Sequence, residues 1–352
     1  MAYATINKGS SYFNTVLYTG NGSTQSVTGV GFKPDFVWAK VRNDVNVHLV
    51  FDIIRGPTKE LYPPLANAEA TDTNGLTAFN SDGFSVGSAF GVNRNGYTFV
   101  AWNWLASNTT TSNTSGTISS TVSVNQTAGV SIVSYTGDGV NNRTIGHGLG
   151  ATPKFVIIKN RSAGTAYWSV INPRSTSTTN TNIMYLNRAD AEADDTNIMG
   201  TNLPNSTTFG IGNYAGVNVN GENFIAYCFA PIKGYSSLGS YVGNGNANGT
   251  FVYTGFKPAY LMIKNADLGA GFGFWTIWDN KRNTYNPEIN YLIANSQDAE
   301  STGDPGGVDF LSNGFKLRNA FDYSNKVSTN YIYMCFAENP FVLTDGTPVT
   351  AR

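Results

Sequence analysis

The chain carries few residues able to do chemistry, and their types and spacing limit what that chemistry is. Two histidines, His48 and His147, and two cysteines, Cys228 and Cys335, stand beside 23 aspartates and glutamates. A Ser-His-Asp triad or a histidine-based zinc site needs one of the histidines. They occupy non-equivalent places, His48 opening an apolar strand-like run and His147 lying between glycines, so both read as structural. The cysteines are too few for a disulfide framework. They lie in matching apolar runs, Phe224–Ala230 and Tyr331–Ala337, where small buried thiols fit. The carboxylates are more suggestive because they recur: Ala68-Glu69-Ala70-Thr71-Asp72, Ala191-Glu192-Ala193-Asp194-Asp195 and Ala299-Glu300-Ser301-Thr302-Gly303-Asp304. Oxygen-rich loops of this kind hold Ca²⁺, with Asp194-Asp195 the place to look. No loop follows the twelve-residue pattern with its closing Glu, however, and the plainer reading is a solvated turn or a Glu capping nearby N–H groups. Any two carboxylates brought together can cleave a glycan, but nothing marks such a pair. The Gly20-x-Gly22 turn and its copies lack a following helix, so they read as β-turns rather than phosphate cradles. Sequons such as Asn108-Thr-Thr110 carry meaning only on a secretory route. No catalytic, cofactor-binding or metal-ligating residue is assigned, and no cofactor is expected.

The elements that position these residues come from one short stretch used three times. It reads Gly31-Phe32-Lys33-Pro34-Asp35-Phe36-Val37-Trp38-Ala39-Lys40, then Ala151-Thr152-Pro153-Lys154-Phe155-Val156-Ile157-Ile158-Lys159, then Gly255-Phe256-Lys257-Pro258-Ala259-Tyr260-Leu261-Met262-Ile263-Lys264. Proline suits the entry to a strand better than its middle. The apolar run after it is that of a strand buried on both faces, and the closing lysine is expected to return it to water. A Tyr and Gly-x-Gly turn precede each copy: Tyr18-Thr-Gly20-Asn-Gly22, Tyr135-Thr-Gly137-Asp-Gly139, Tyr241-Val-Gly243-Asn-Gly245. A second strand follows, opening at His48, Trp168 and Trp275 in turn, then the acidic loop. A Gly-Phe turn recurs at Gly83-Phe84 and Gly314-Phe315, where the second copy offers Thr207-Thr208-Phe209-Gly210. The closing strand of the first copy is Thr98–Trp104, with Trp102 and Trp104 on one face.

An interval of roughly 105–120 residues is too long for a solenoid unit or propeller blade and long enough for each copy to bury a core of its own. Short strands with Asn-Gly, Asp-Gly and Gly-Phe turns, and no convincing helix, predict an all-β chain of three tandem related β-sandwich, jelly-roll-like domains. The expected boundaries are 1–106, 129–233 and 234–338, with a Ser/Thr/Asn-rich linker at 107–128 and a tail at 339–352. The linker's first half has nothing to bury and reads as loosely extended. Its second half, Thr117-Ile118-Ser-Ser-Thr-Val122-Ser-Val124, alternates and suits an edge strand. The tail reads as an arm packing across a neighbour.

Composition narrows the partners. Charged residues are only 13% and the formal net charge is −1, which leaves no basic stripe for nucleic acid and none for an anionic membrane. No apolar run approaches a membrane span, and the N-terminus lacks a signal-peptide pattern, so folding in a cytoplasm is expected. Most of the six Trp, 19 Tyr and 21 Phe are assigned to cores. The loops Asn43–Asn46, Ser162–Ala166 and Ala266–Gly273 differ among the copies, and variable loops on a common scaffold are where binding specificity resides.

Taken together, Tyr-Thr-Gly-Asn-Gly, Gly-Phe-Lys-Pro-Asp-Phe-Val-Trp, Ser-Asp-Gly-Phe and the closing Phe-Val-Ala-Trp-Asn-Trp resemble a repeat of tailed-bacteriophage virion proteins, marine ones especially. Tyr12-Phe13-Asn14-Thr15, Ser123–Gly137, Gly146–Lys154 and the close Asn339-Pro340-Phe341 to Thr350-Ala351-Arg352 are similar to that family too, the last implying a whole chain. The resemblance implies a non-enzymatic structural protein of the virion, made in the host cytoplasm: a tail-fibre or appendage component acting in assembly and host-surface attachment. It further implies homo-oligomers, trimers above all, contacts with other tail or capsid proteins, and host surface glycan as a receptor. The alternatives are a capsid decoration protein without a receptor role and, third, a glycan depolymerase. The chain lacks the heptads or Gly-X-Y run of a fibre shaft, which favours a compact appendage, adaptor or tip.

Overall fold

Apolar runs bounded by polar turns pair here into antiparallel sheets, a large and a small one in each repeat, with an extra two-stranded pair in the first. The computed structural model describes residues 4–177, 181–269, 271–302 and 307–349. Among these, helix is confined to three single turns, at Gly9–Ser11, Phe90–Asn93 and Thr196–Met199, and the chain is all-β. In the first repeat β1 (Phe13–Thr19), β3 (Phe36–Val41), β4 (Leu49–Asp52) and β9 (Thr98–Trp104) form a sheet ordered β1-β9-β3-β4. Facing it are β2 (Gln25–Thr28), β7 (Leu76–Asn80) and β8 (Gly83–Val86), in the order β2-β8-β7. The pair β5 (Lys59–Glu60) and β6 (Ala70–Thr71) holds the acidic loop.

The other repeats reuse this plan. In the second, β12 (Val130–Thr136), β14 (Phe155–Asn160), β15 (Ser169–Ile171), β16 (Met184–Tyr185) and β18 (Asn223–Phe229) make the large sheet. It is widened by β10 (Thr111–Asn113) and β11 (Ser120–Asn125) from the linker, in the order β10-β11-β12-β18-β14-β15-β16. Its small sheet is β13 (Arg143–Gly146) on β17 (Thr208–Ile211), one strand poorer than its counterparts, at the place where the sequence lacks a Gly-Phe turn. In the third, β19 (Ser236–Val242), β21 (Phe256–Asn265), β22 (Trp275–Asp279), β23 (Leu292–Ile293) and β26 (Asn330–Pro340) are ordered β19-β26-β21-β22-β23. They face β20 (Phe251–Tyr253), β24 (Val308–Leu311) and β25 (Gly314–Leu317).

Strand alternation sends each large sheet's side chains two ways. Val37, Phe51 and Phe84 fill a core between the first repeat's two sheets, and Val156, Phe209 and Phe224 do so in the second. The alternate residues face the other repeats: Phe36, Trp38, Trp102, Phe155, Ile157, Tyr227, Tyr260 and Met262 belong to one common core. At its centre the equivalent closing-strand residues Trp104, Phe229 and Phe336 meet, with ring centroids 6.3, 5.9 and 5.7 Å apart. The repeats therefore do more than bury separate cores, because the outer face of every large sheet is covered by its two siblings. This is why the Pro-led strands are apolar throughout.

Two sequence expectations change in detail, and the tail gains contacts within the chain. Pro34 and Pro153 precede their strands, but Pro258 lies within β21, at a shift in its register with β26, where a missing N–H breaks no ladder. The linker's first half, read as loosely extended, forms β10, since backbone pairing with β11 requires no buried side chain. The tail packs on its own chain: Phe341 N–H donates to Gly255 O at 3.1 Å and Thr344 N–H to Asn7 Oδ1 at 2.8 Å.

Candidate functional site

The recurring carboxylates lie where one repeat meets the next. Glu69 N–H donates to Arg161 O, Glu192 N–H to Ala266 O and Glu300 N–H to Arg42 O, at 2.9, 2.7 and 2.6 Å. The first repeat thus clasps the second, the second the third, and the third returns to the first, closing a ring. At the closing junction Arg42 makes a two-pronged pair with Glu300, Nη2 to Oε1 at 2.8 Å and Nε to Oε2 at 3.1 Å. Arg282 Nη1 reaches the same carboxylate at 3.1 Å, and its Nε reaches Asp279 at 2.6 Å. Trp102 of the first repeat donates Nε1–H to Asp279 at 2.9 Å. The junction of repeats one and two repeats this network with Arg161 on Glu69, Arg55 on Glu69 and Asp52, and Tyr227 O–H on Asp52 at 2.7 Å. Burial pushes the Glu69 carboxyl up, but the Arg161 hydrogen bond and the charges of Arg55 and Arg161 hold it below its usual range.

The junction of repeats two and three is built differently. Asn172 replaces the aspartate, Met334 the Trp or Tyr donor, and Ala266 the clasping arginine. Among the described residues Arg174 alone remains on Glu192, at 2.8 Å, and burial raises the Glu192 carboxyl against that pairing. Donor, acceptor and clasp have changed together. The short stretch Pro231–Ser240 tethers this junction, whereas the first has a long linker and the closing one no direct tether, so the ion networks stand where chain connectivity contributes least.

The lysines that end the Pro-led strands were expected in water; Lys40, Lys159 and Lys264 are instead fully buried. Each ammonium is held by main-chain carbonyls. Lys159 Nζ reaches Ala66 O of the first repeat and its own Ala166 O, both at 2.9 Å. Lys264 Nζ reaches Asp190 O (2.9 Å) and Ala189 O (3.4 Å) of the second repeat and its own Gly273 O (2.6 Å). Lys40 Nζ reaches Val41 O and Asp44 O at 2.7 and 3.2 Å. Desolvation lowers all three, Lys40 and Lys159 to about 8 and Lys264 to about 7. The carbonyls Asp44 O, Ala166 O and Gly273 O belong to the three variable loops, which thereby line the junctions.

The Gly-x-Gly turns are held by residues the sequence did not single out. Asn93, Asn218 and Asn325 are buried, and each offers its Oδ1 to the backbone of its repeat's turn, at Asn21, Asp138 and Gly139, and Asn244. The preceding Tyr18, Tyr135 and Tyr241 stack on Phe99, Phe224 and Tyr331 at 5.1 Å. Their hydroxyls donate to Val92 O, Val217 O and Ser324 O. The first glycine of each turn allows a close approach: a Cβ on Gly20, Gly137 or Gly243 would lie 2.2–2.4 Å from a carbonyl oxygen. The second takes positive φ, 69°, 71° and 67°.

The remaining candidates are structural where described. His48 is buried, with Nδ1 accepting Trp38 Nε1–H at 2.9 Å. It stands where Trp168 and Trp275 donate their indole N–H to carbonyls of the preceding repeat. Desolvation, then the charge of Lys40, pulls its pKa well down. His147 Nδ1 accepts Leu149 N–H and its Nε2 meets Asn205 O, both at 3.1 Å. Cys228 and Cys335 are free and buried, and burial pushes both thiols up. Asp194 accepts from Thr181 and Asn182, and Asp195 caps the turn at Thr196. Asp304 of the third loop lies outside the described residues. Among those described, no group of three or more His, Cys, Asp or Glu is placed to hold a metal ion. No helix among them is long and apolar enough to cross a membrane.

Exposed aromatics gather on the third repeat: Phe251, Tyr253, Phe272, Tyr285, Phe321 and, just beyond it, Phe341. Phe272 and Val45 lie on the variable loops. No curated protein and no solved structure shows a significant match to this chain. Residues 8–340, which hold all three repeats and every junction residue named above, match the family described as Domain of unknown function (DUF7483), and the chain belongs to that family.

Proposed function

We propose that the protein is a non-enzymatic structural component of a tailed-phage virion, a tail-fibre or tail-appendage protein acting in assembly and host-surface attachment. The observation that carries this reading is the use made of the carboxylates. Glu69, Glu192 and Glu300, the polar groups that recur and that glycan cleavage or cation binding would recruit, are engaged in clasping one repeat to the next. A closed ring whose polar groups hold its own parts together suits a rigid projecting body. The resemblance of its motifs to virion repeats supplies the setting. In that setting copies associate as a homotrimer or other homo-oligomer, other tail or capsid proteins anchor them, and host glycan meets exposed rings such as Phe272 and Tyr285.

Cryo-electron microscopy of intact particles, at a resolution that traces this chain, tests the reading. Density on the tail or its distal tip is the expected result. Density lying flat on the capsid lattice would make the protein a decoration protein and remove the receptor role. Absence from purified particles would overturn the virion assignment.

A further inference from the structure

The second repeat shows what covers the open side of one of these sandwiches. A single segment, Gly116–Asn125, crosses from the small sheet to the large. Ile118 N–H donates to Thr144 O on β13 at 3.2 Å, and Thr117 Oγ1 accepts Thr144 N–H at 2.8 Å. Beyond it β11 pairs with β12 from Ser120 opposite Tyr135 to Asn125 opposite Val130. This segment has no charge; it alternates hydroxyls with Ile118, Val122 and Val124.

In the third repeat the equivalent strands, β19 and β20, are the outermost of their sheets. Gly243 N–H bonds Thr329 O, and Thr254 N–H bonds Asn313 O. By antiparallel alternation Leu238, Ser240 and Val242 on β19, and Phe251 and Tyr253 on β20, therefore aim their backbone groups outward. Thr250 Oγ1 takes Val242 O. Edges of this length are ordinarily protected by lysine, proline or a covering segment, and β19 has seven residues with neither charge nor proline. The side chains along it also change character. Val242, Phe251 and Tyr253 are 54%, 44% and 64% exposed, where the covered second repeat has Thr136, Thr144 and Gly146 and the first has Thr19, Ser26 and Thr28.

We propose that the open side of the third repeat, along β19 and β20, docks an extended, uncharged, hydroxyl- and β-branched-rich segment of a partner protein, added as a strand. The chain's own segment of that chemistry is already seated on the second repeat, so the occupant comes from another protein. Val242, Phe251 and Tyr253 supply the apolar contacts that a separate chain needs and a tethered linker does not.

The test uses the whole protein and a labelled peptide with the sequence of residues 116–125, followed by fluorescence anisotropy and hydrogen exchange. Saturable binding is expected, with slowed exchange at the Ser240 and Tyr253 amides. Ser240→Pro removes an N–H that the fold does not use, and Tyr253→Lys alters an exposed ring; each is expected to weaken binding about tenfold or more with unchanged circular dichroism. No binding, binding indifferent to both variants, or protection confined to β12 and β13 would overturn the proposal. Concentration-dependent self-association lost in Ser240→Pro would assign the edge to a second copy, and would overturn it equally.

Discussion

Lys264 sits among three carbonyl oxygens, its charge supported at longer range by Asp190. Replacing it with methionine leaves those acceptors without a donor, and a loss of about 1–3 kcal/mol at neutral pH is expected. The pH dependence has a definite sign. The amine's folded pKa is lowered from 10.5 to about 7, so between those values the unfolded chain binds more protons than the folded one. Stability contributed at this site therefore rises with pH across that window and is lost as pH falls toward 7. Wild type should gain on Lys264→Met as urea titrations move from pH 7 to pH 10; a constant difference would refute the assignment. Glu300→Ala makes a sharper cut, because it removes the carboxylate shared by Arg42 and the fully buried Arg282 and leaves Asp279 as the remaining counter-charge of Arg282. A loss of about 3 kcal/mol, the low end for a broken buried pair, is expected from equilibrium unfolding. Neither role was legible in the sequence. A lysine ending an apolar run reads as a return to solvent, and a glutamate in a polar loop reads as a solvated turn. Only the neighbouring repeat supplies the carbonyls and the arginines, and it is supplied by closure of the ring rather than by local pattern.

At the scale of the element, the sequence displayed the Tyr and Gly-x-Gly stretch clearly but not the reason for it. Tyr18, Gly20 and Gly22 lie close together in the chain, whereas the Asn93 that fixes their turn arrives some seventy residues later. Its mark in the sequence is that Gly91-Val92-Asn93-Arg94-Asn95-Gly96 recurs as Gly216-Val217-Asn218-Val219-Asn220-Gly221, far from the turn it serves. The strands themselves were legible because their apolar runs and turns are local, and the linker's alternation gave away β11. Two expectations belong here. Tyr241→Phe removes the hydroxyl donated to Ser324 O while keeping the stacked ring, so thermal denaturation should register a loss of about 1 kcal/mol. Gly273→Ala should do more. A Cβ there would lie 1.8 Å from Ala189 O, forcing the third repeat's loop away from the second, and hydrogen exchange should quicken around Ala189 and Gly273 with the distant Tyr18 turn unaffected.

At the scale of the whole molecule, three similar sheets turn their aromatic faces inward and close on Trp104, Phe229 and Phe336. Periodicity in the sequence identified three copies, yet it could not show that they share a core, since a residue facing a sibling and one facing its own small sheet are equally apolar. The shared face makes each copy dependent on the others. A fragment ending at Ala106 would expose Phe36, Trp38, Trp102 and Trp104 to water, and is expected to aggregate or lack fixed tertiary structure, as near-ultraviolet circular dichroism would show. The central claim, that the repeats form one clasped ring, is tested most directly by equilibrium urea unfolding of the intact chain with a separate tryptophan probe retained in each repeat: Trp102, Trp168 and Trp275. Coincident transitions with one midpoint are predicted. Three separable transitions, each with the small urea dependence of a domain near one hundred residues, would contradict it and return the molecule to independent beads on a string.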